Sequence, residues 1–579
     1  MKELHRNRAA MGGLAAAFVL ASLAVLAIRT LVPPDEGRYA EIAREMFASG
    51  DWVTTRLNGI KYFEKPPLQA WMNALTFTLF GVGQWQARLW TGLCGVFGVL
   101  LTGFTGTRLF GARAGLSAAL VLGSSFYWVL GSQVDSVDMS VSGMMTLCLC
   151  ALLLAQRADA GPAERRNWML ACWAGMALAT LAKGLIGIVL PGGVLVCYTL
   201  AARDWRLWTR LHMAKGLALF LAIAAPWFIL VGLRNPEQPH FFFVHEHFER
   251  FLLKEHHREA PAWSFLALLA VGSMPWISML VPSLVAGARR GATAAGAGAG
   301  AGNPVPAFRP RLLALVWLVF IVAFFSASSS KLPGYILPVF PALALLMGEY
   351  LEGASRRQQM INASTLILIG LALLLAAPFA PGFARHDGES RLYADFAVWI
   401  NASGMLALCG GILALWMAGQ DRRDGHVLVL AVGGFLASQV LLAGFEPLGQ
   451  ARAGSALLPA MRSVLTPATR VYSVGLYEQS LTFYLGRTVT LVDYTDEFAF
   501  GLQQQPELGI PDLDTFIRTW QDNTARGIPC MAIARADLVF ELQHRHVPLR
   551  VLASDARRVV IANPVTPISV TPLHESHHP

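Results

Sequence analysis

The stretch behind the first apolar run gathers side chains capable of acid, base and anion chemistry. Asp35, Glu36, Arg38 and Tyr39 stand in PPDEGRYAEIAREMFASGDW, and Glu64 and Lys65 follow in YFEKPPLQAW. Residues Asp35 to Phe47 read as an amphipathic helix lying at a membrane interface and stopped by Gly50. Asp35, Arg38 and Tyr39 fall at i, i+3 and i+4, so they share one helix face. Asp35 reads in two compatible ways: as an N-terminal cap, and as a carboxylate that the helix dipole keeps ionised for base or charge-stabilising work. Lys65 opens the next helical run, LQAWMNALTFTLF. A lysine there can meet a phosphate as a point charge or, with Glu64, anchor the helix at the bilayer surface.

Four later segments add to this set. In SQVDSVDMSVSG, Asp138 starts a span, where a charge at depth costs about 2.5–3.5 kcal/mol, and Asp135 one turn earlier could take the same part. Lys183 in LAKGLIGIVLP is a lone cation at a helix end, suited to an anion or to snorkelling. The segment PHFFFVHEHFERFLLKEHHREAPAW holds His240, His245, His247, His256 and His257 among Glu246, Glu249, Glu255 and Arg250. Histidines at i and i+2 diverge on a helix, which excludes a zincin motif, although one imidazole with a carboxylate such as Glu64 could hold a divalent ion. Arg250 offers a planar fork for phosphate. SASSSKLPGYILPVFP then contributes Lys331 and Tyr335. Cations for phosphate beside carboxylates for charge or proton control point to group transfer on an anionic, lipid-linked substrate. A channel needs no such combination.

These groups must be positioned by a membrane scaffold. The chain has 579 residues, 55% hydrophobic and 14% charged, where a soluble protein of this size carries roughly a quarter charged residues. About thirteen apolar segments of spanning length are expected, with approximate cores at 10–30, 85–107, 114–132, 139–156, 168–182, 184–202, 213–232, 264–286, 312–327, 334–352, 362–380, 397–418 and 426–444. The first follows a basic start, is too long for a signal peptide's apolar core and reads as a retained helix. Alternate loops collect the arginines (Arg108/Arg113, Arg157/Arg165/Arg166, Arg203/Arg206/Arg210, Arg289/Arg290, Arg356/Arg357, Arg422/Arg423), which marks them as cytoplasmic. The net charge of +9 is thereby explained without nucleic acid. Every chemically promising segment then falls on the opposite, non-cytoplasmic face. The expected organisation is a transmembrane domain over 1–445 with loops 32–84 and 233–263, a flexible cytoplasmic linker over 287–310, and a small α/β domain over 446–579. The cysteines show neither a metal spacing nor a disulfide framework. No glycine-rich phosphate loop is present, so no nucleotide cofactor is expected.

DEGRYAEIAREMFASGDWVTTRLNGIKYFEKPP closely resembles the first periplasmic loop of the bacterial lipid A aminoarabinose transferases, within the GT-C superfamily that includes the protein O-mannosyltransferases. VDMSV, LAKGLIGIVLP, FFFVHEHFERF and FFSASSSKLPGYILPVFPALALLMG resemble later family segments in order. The resemblance implies a polytopic, GT-C-type inner-membrane enzyme, a monomer among membrane lipids. It would move 4-amino-4-deoxy-L-arabinose from undecaprenyl phosphate to a lipid A phosphate with inversion, blunting polymyxin and other cationic peptides. Residue by residue, it implies Asp35 as the catalytic carboxylate with Asp138 as second candidate. Lys65 and Arg250 would hold the donor phosphate with help from Lys183; Arg38, Tyr39, Lys331 and Tyr335 are expected at the substrate site from their place on the same face. Glu64 and His245 would bind a metal, zinc being the expected ion. FEKPPLQAW departs from the more usual single-proline continuation, and SSSKLPGY carries glycine before Tyr335; either change could alter substrate choice. The competing readings are a transferase of another polyprenyl-phosphate sugar to protein, lipid or glycan, a lipid-linked sugar flippase, and a non-catalytic envelope protein whose tail binds partners.

Overall fold

The computed structural model describes residues 8–243, 260–297, 308–386 and 388–567. The membrane part runs α1 (Arg8–Ala24), α2 (Asp35–Ser49), α3 (Leu68–Phe80), α4 (Gln84–Phe110), α5 (Ala112–Ser124), α6 (Phe126–Ser132), α7 (Val137–Ala155), α8 (Pro162–Lys183), α9 (Ile186–Ala202), α10 (Met213–Arg234), α11 (Ser264–Gly272), α12 (Ile277–Ala297), α13 (Pro310–Ala327), α14 (Phe340–Glu352), α15 (Arg356–Ala376), α16 (Glu389–Gly419) and α17 (Arg423–Ala443). A two-residue hairpin, β1 (Arg56–Leu57) with β2 (Ile60–Lys61), lies between α2 and α3.

Among the described residues eight helices are long and apolar enough to cross a membrane, or ten if two bent pairs each count as one span. The expected thirteen are therefore not confirmed by this count, although helix covers most of each expected core. Gly12–Ala27 and Ile186–Ala202 are apolar but shorter, and α8 spends its first turns on Glu164, Arg165 and Arg166. The bent pairs are α5 with α6, at 64°, and α11 with the start of α12, at 108°. Pro275 lies in the second break, where it has no N–H to continue a helix. The two breaks meet, the Phe126 amide donating to the Met274 carbonyl at 3.0 Å. The linker expected from residue 287 starts later, because α12 continues to Ala297; its alanine-rich sequence favours helix. Residues 298–307 lie outside the described residues.

Burial separates a centre from a rim. In α7 the apolar window is 89% buried, whereas α15 and α16 are 22% and 28% buried and turn their leucines outward to lipid.

Behind α18 (Glu446–Ala453) and α19 (Leu458–Val464) comes a six-stranded sheet of order β5-β4-β3-β6-β8-β7. Its strands are β3 (Arg470–Val474), β4 (Thr490–Val492), β5 (Gly509–Ile510), β6 (Cys530–Ala534), β7 (Arg550–Ser554) and β8 (Val559–Ala562). The β5-β4-β3-β6 part is parallel, and β8 and β7 add on antiparallel. Alternation along the strands feeds two cores. Tyr472, Val474 and Ala532 pack under α22 (Leu513–Ala525) and α23 (Ala536–His544). Val471, Leu491, Met531, Ile533 and Val560 share a core with Ala40, Ala43 and Met46 of α2, with Leu57 and Ile60 of the hairpin, and with Tyr62. The sheet therefore sits directly on the connection between α1 and α3.

Candidate functional site

The proline pair ahead of α2 sets its start. Pro34 occupies the cap position and Asp35 is the first helical residue, making no capping bond. The capping reading of Asp35 thus gives way to an ion pair: Arg38 Nη1 donates to Asp35 Oδ1 at 3.0 Å. The helix ends at Gly50, whose φ of 70° is the left-handed conformation glycine adopts at little cost. The first turn is pinned from below by Arg88 of α4. Its Nε and Nη2 grip the two oxygens of Glu36 at 2.6 and 2.9 Å, with both side chains fully buried. It is pinned from above by the α/β domain. A methyl group on Gly37 would stand 2.8 Å from the Gln479 carbonyl carbon and 2.6 Å from Ser480 Oγ, so the glycine of DEGRY is what allows α2 to lie against α20 (Gln479–Leu485).

Arg38 is shared between the two domains. Its Nε lies 2.6 Å from Glu497 Oε2, and Gln479 donates to the other Glu497 oxygen at 2.6 Å. Burial alone would make Arg38 easier to deprotonate, but the fields of Tyr62, Glu497, Tyr39 and Asp35 more than offset it and keep the guanidinium charged. Gln479 and Glu497 follow the carboxyl ends of the neighbouring parallel strands β3 and β4, the edge where open α/β sheets present ligand-binding groups. Asp493 and Asp496, at φ of 48° and 28°, carry the chain from β4 to Glu497 through left-handed backbone.

Tyr39 follows Arg38 on α2 and is buried. Burial pushes its phenol well above the usual value, and the carboxylates of Asp35, Asp138 and Glu64 push it further, so it is a fixed hydrogen-bond donor. Tyr62, equally buried, lies within the fields of Glu64, Arg38, Tyr39 and Glu497, and its hydroxyl makes no hydrogen bond among the described residues. Lys65 Nζ donates to the Glu64 carbonyl at 2.9 Å and stands 3.7 Å from the Glu64 carboxylate.

A second group forms where α7 and α8 end. Asp138, in the first turn of α7, is ion-paired with Lys183, the last residue of α8. The Lys183 ammonium also sits 4.6 Å from the centre of the Tyr335 ring, a cation–π contact. Lys183 is thus held by two partners rather than snorkelling. A methyl group on Gly334 would collide with the Asp138 carboxylate, which accounts physically for glycine before Tyr335. Lys331 folds back onto its own loop, donating to the Ser328 carbonyl at 2.7 Å. Asp135 does not take the part of Asp138: it is fully buried and accepts from Gln69 at 2.6 Å and from Asn73 at 2.9 and 3.0 Å, which fastens α3 to the start of α7.

Of the residues singled out by sequence, Asp35, Arg38, Tyr39 and Glu64 are joined by contact or shared field, Lys65 stands against Glu64, and Asp138, Lys183 and Tyr335 form the second group. His245 and Arg250 lie outside the described residues. No three metal-ligating side chains gather among the described residues. The metal expectation therefore rests on Glu64 together with His245. Sequence reasoning missed Gln479, Glu497, Tyr62 and the Glu36–Arg88 pair. Only Arg88 carried a signal, as an arginine near the start of a span. The arrangement is one of paired charges: Arg38, Lys65 and Lys183 each face a carboxylate, so an incoming phosphate would exchange places with an internal anion.

Two family models match the chain: "Dolichyl-phosphate-mannose-protein mannosyltransferase" over residues 64–230 and "Aminoarabinose transferase C-terminal domain" over residues 457–563. An undecaprenyl phosphate-alpha-4-amino-4-deoxy-L-arabinose arabinosyl transferase of Edwardsiella ictaluri is 30% identical over 518 residues, covering 86% of this chain and 88% of the relative. One from Pseudomonas paraeruginosa is 36% identical over 371 residues, 63% of this chain and 64% of the relative. Among solved structures, ArnT from Cupriavidus metallidurans bound to undecaprenyl phosphate superposes with a TM-score of 0.89 at 39% identity, covering 97% of this chain and 99% of that one.

Proposed function

Since the chain belongs to the undecaprenyl phosphate-alpha-4-amino-4-deoxy-L-arabinose arabinosyl transferases and is a glycosyltransferase, we propose that it moves 4-amino-4-deoxy-L-arabinose from undecaprenyl phosphate to a phosphate of lipid A. The reaction takes place on the periplasmic side of the bacterial inner membrane, and the added amine lowers envelope charge and gives resistance to polymyxin. The observation that carries this reading is that Asp35, Glu64 and Asp138 are each paired with a cation, Arg38, Lys65 and Lys183 in turn. The orientation is supported by the arginine-rich alternate loops, which assign the opposite end to the cytoplasm.

In the proposed step an oxygen of the acceptor phosphate attacks the anomeric carbon of the sugar, the bond from that carbon to the donor phosphate oxygen breaks, and undecaprenyl phosphate leaves with the electron pair. The configuration inverts. The acceptor phosphate is already anionic at neutral pH, so no strong base is needed. Asp35, with its side chain 54% exposed and oriented by Arg38, stabilises the positive charge developing on the sugar. Lys65, with Arg250, offsets the charge growing on the leaving phosphate. Tyr39, kept protonated, donates a hydrogen bond to an anionic oxygen. Lys183 and Tyr335 orient the substrate beside Asp138. A divalent ion on Glu64 and His245 remains an added proposal, tested by activity after chelation and re-addition of zinc.

The test is expression in a Gram-negative strain lacking its own aminoarabinose transferase, with lipid A weighed by mass spectrometry. The expected result is an aminoarabinose increment together with polymyxin resistance. Unmodified lipid A despite good expression would overturn the acceptor assignment and move the search to other polyprenyl-phosphate sugars and acceptors.

A further inference from the structure

Phe500 is the one apolar side chain of the α/β domain, among the described residues, that packs against the main transmembrane core; the others build either the core under α22 and α23 or the one shared with α2, the hairpin and α3. It is the second residue of the helix α21 (Ala499–Gln504), three positions beyond Glu497. Its ring stacks on Phe241 with centroids 3.9 Å apart and planes 21° apart, and meets Phe63 edge-on at 6.3 Å and 65°. Phe63 immediately precedes Glu64 and Lys65, and Phe241 closes the short turn Gln238–His240.

The backbone around Phe500 is fitted to the same place. A methyl group on Gly501 would collide with Ile60 and with the Lys61 carbonyl, so α21 touches β2. Gln505 accepts from the Lys61 amide at 3.0 Å, and the Lys61 ammonium lies 2.6 Å from Glu237. The Glu237 carbonyl in turn accepts from the Phe241 amide at 3.3 Å. The contacts form a closed circuit: β2 to Glu237, Glu237 to Phe241, Phe241 to Phe500, and Phe500 back to Phe63 at the end of the β2 segment. One aromatic ring from the α/β domain thus fixes the backbone that delivers Glu64 and Lys65 relative to the segment that starts the histidine-rich stretch. An aromatic residue suits this task, since its rigid ring holds geometry on two faces at small cost in conformational entropy.

We propose that Phe500 is a positioning residue of the glycosyl transfer site: it sets the placement of Glu64 and Lys65 for the donor phosphate. This inference rests on the reading of Lys65 as a donor-phosphate residue. Phe500 touches no substrate and acts through Phe63 and Phe241. The α/β domain is therefore a working part of the donor site, and its contribution is an apolar wedge beside the charged groups.

The experiment uses the purified full-length protein in lipid nanodiscs, with undecaprenyl phosphate-linked aminoarabinose as donor and lipid A as acceptor. Wild type is compared with Phe500→Ala, Phe500→Tyr and Lys65→Ala, and each is also melted thermally. The expected result for Phe500→Ala is a donor KM raised about tenfold with the acceptor KM unchanged, and for Phe500→Tyr a return close to the wild-type donor KM. A purely structural role would raise both KM values together and lower the melt in parallel, and that outcome overturns the proposal. So does a wild-type donor KM in Phe500→Ala while Lys65→Ala is impaired. A Phe500→Tyr variant as damaged as Phe500→Ala counts against it as well. A wild-type donor KM in Lys65→Ala overturns the underlying reading of Lys65 and the proposal with it.

Discussion

The Arg38 group and the Lys183 group stand at the same end of the bundle but are built differently. Lys183, Asp138 and Tyr335 come from the ends of membrane helices and the short connection that follows α13, so the transmembrane scaffold alone assembles them. Arg38 is held by Asp35 from its own helix and by Glu497 from the α/β domain, 459 residues along the chain by difference of the two numbers. The lesson is that disturbing the docked domain should damage one group and spare the other. The two can therefore be separated by mutation.

The largest effect is expected from Arg88→Met. It leaves Glu36 buried without its partner and frees the first turn of α2, at a cost of about 3–5 kcal/mol in stability. The thermal midpoint of the purified protein measures it. Asp138→Asn, which leaves α2 anchored, should lower the midpoint far less. If both variants melt alike, the two groups are not independently supported.

Glu45 makes the same comparison through pH. It lies on α2 beneath the α/β domain, accepts from the Gly59 amide at 2.8 Å, and is pushed up to about 8 by burial and by the neighbouring Glu41 charge, against the pull of Arg44. The folded protein therefore holds a proton at Glu45 that the unfolded chain loses near the ordinary value of 4.5. The stability linked to this proton is fully present below pH 4.5 and is lost as pH rises towards 8, at a limiting rate of about 1.4 kcal/mol per pH unit. Glu45→Gln should remove most of that slope and raise the midpoint at pH 8. An unchanged pH profile would show that Glu45 is ionised in the folded protein.

The smallest effect is expected on the other side of the comparison. Gly334→Ala pushes a methyl group into the Asp138 carboxylate, an overpacking change worth about 1–3 kcal/mol. Activity should fall while the pH profile set by Glu45 stays as in wild type. A fully active Gly334→Ala enzyme would mean that the Asp138–Lys183 geometry tolerates displacement.

Local chemistry made much of this legible in the sequence. The helix from Asp35 stopped by Gly50 and the small α/β domain that follows residue 446 both rest on neighbouring residues, where periodicity and glycine carry the signal. The i, i+3 pairing of Asp35 with Arg38 was readable for the same reason. The span count is not confirmed among the described residues, because apolar length alone does not separate a full crossing from a short or bent helix, as Ile186–Ala202 and the break at Pro275 show. Glu497 and Phe500 gave no warning. Their partners, Arg38, Phe63 and Phe241, lie hundreds of residues away, and a glutamate and a phenylalanine in a soluble-looking tail have no pattern of their own. The glycine before Tyr335 was noticed as a departure, but its cause, the Asp138 carboxylate, required three dimensions.

The central claim is that sugar transfer is carried by Asp35 in the Arg38 group, with the Lys183 group orienting substrate. The most direct measurement is the turnover of purified Asp35→Asn beside Asp138→Asn under saturating donor and acceptor. The expected result is a loss of about a hundredfold or more in kcat for Asp35→Asn, with a smaller loss for Asp138→Asn. Wild-type turnover in Asp35→Asn together with a dead Asp138→Asn enzyme would contradict the claim and move the chemistry to Asp138.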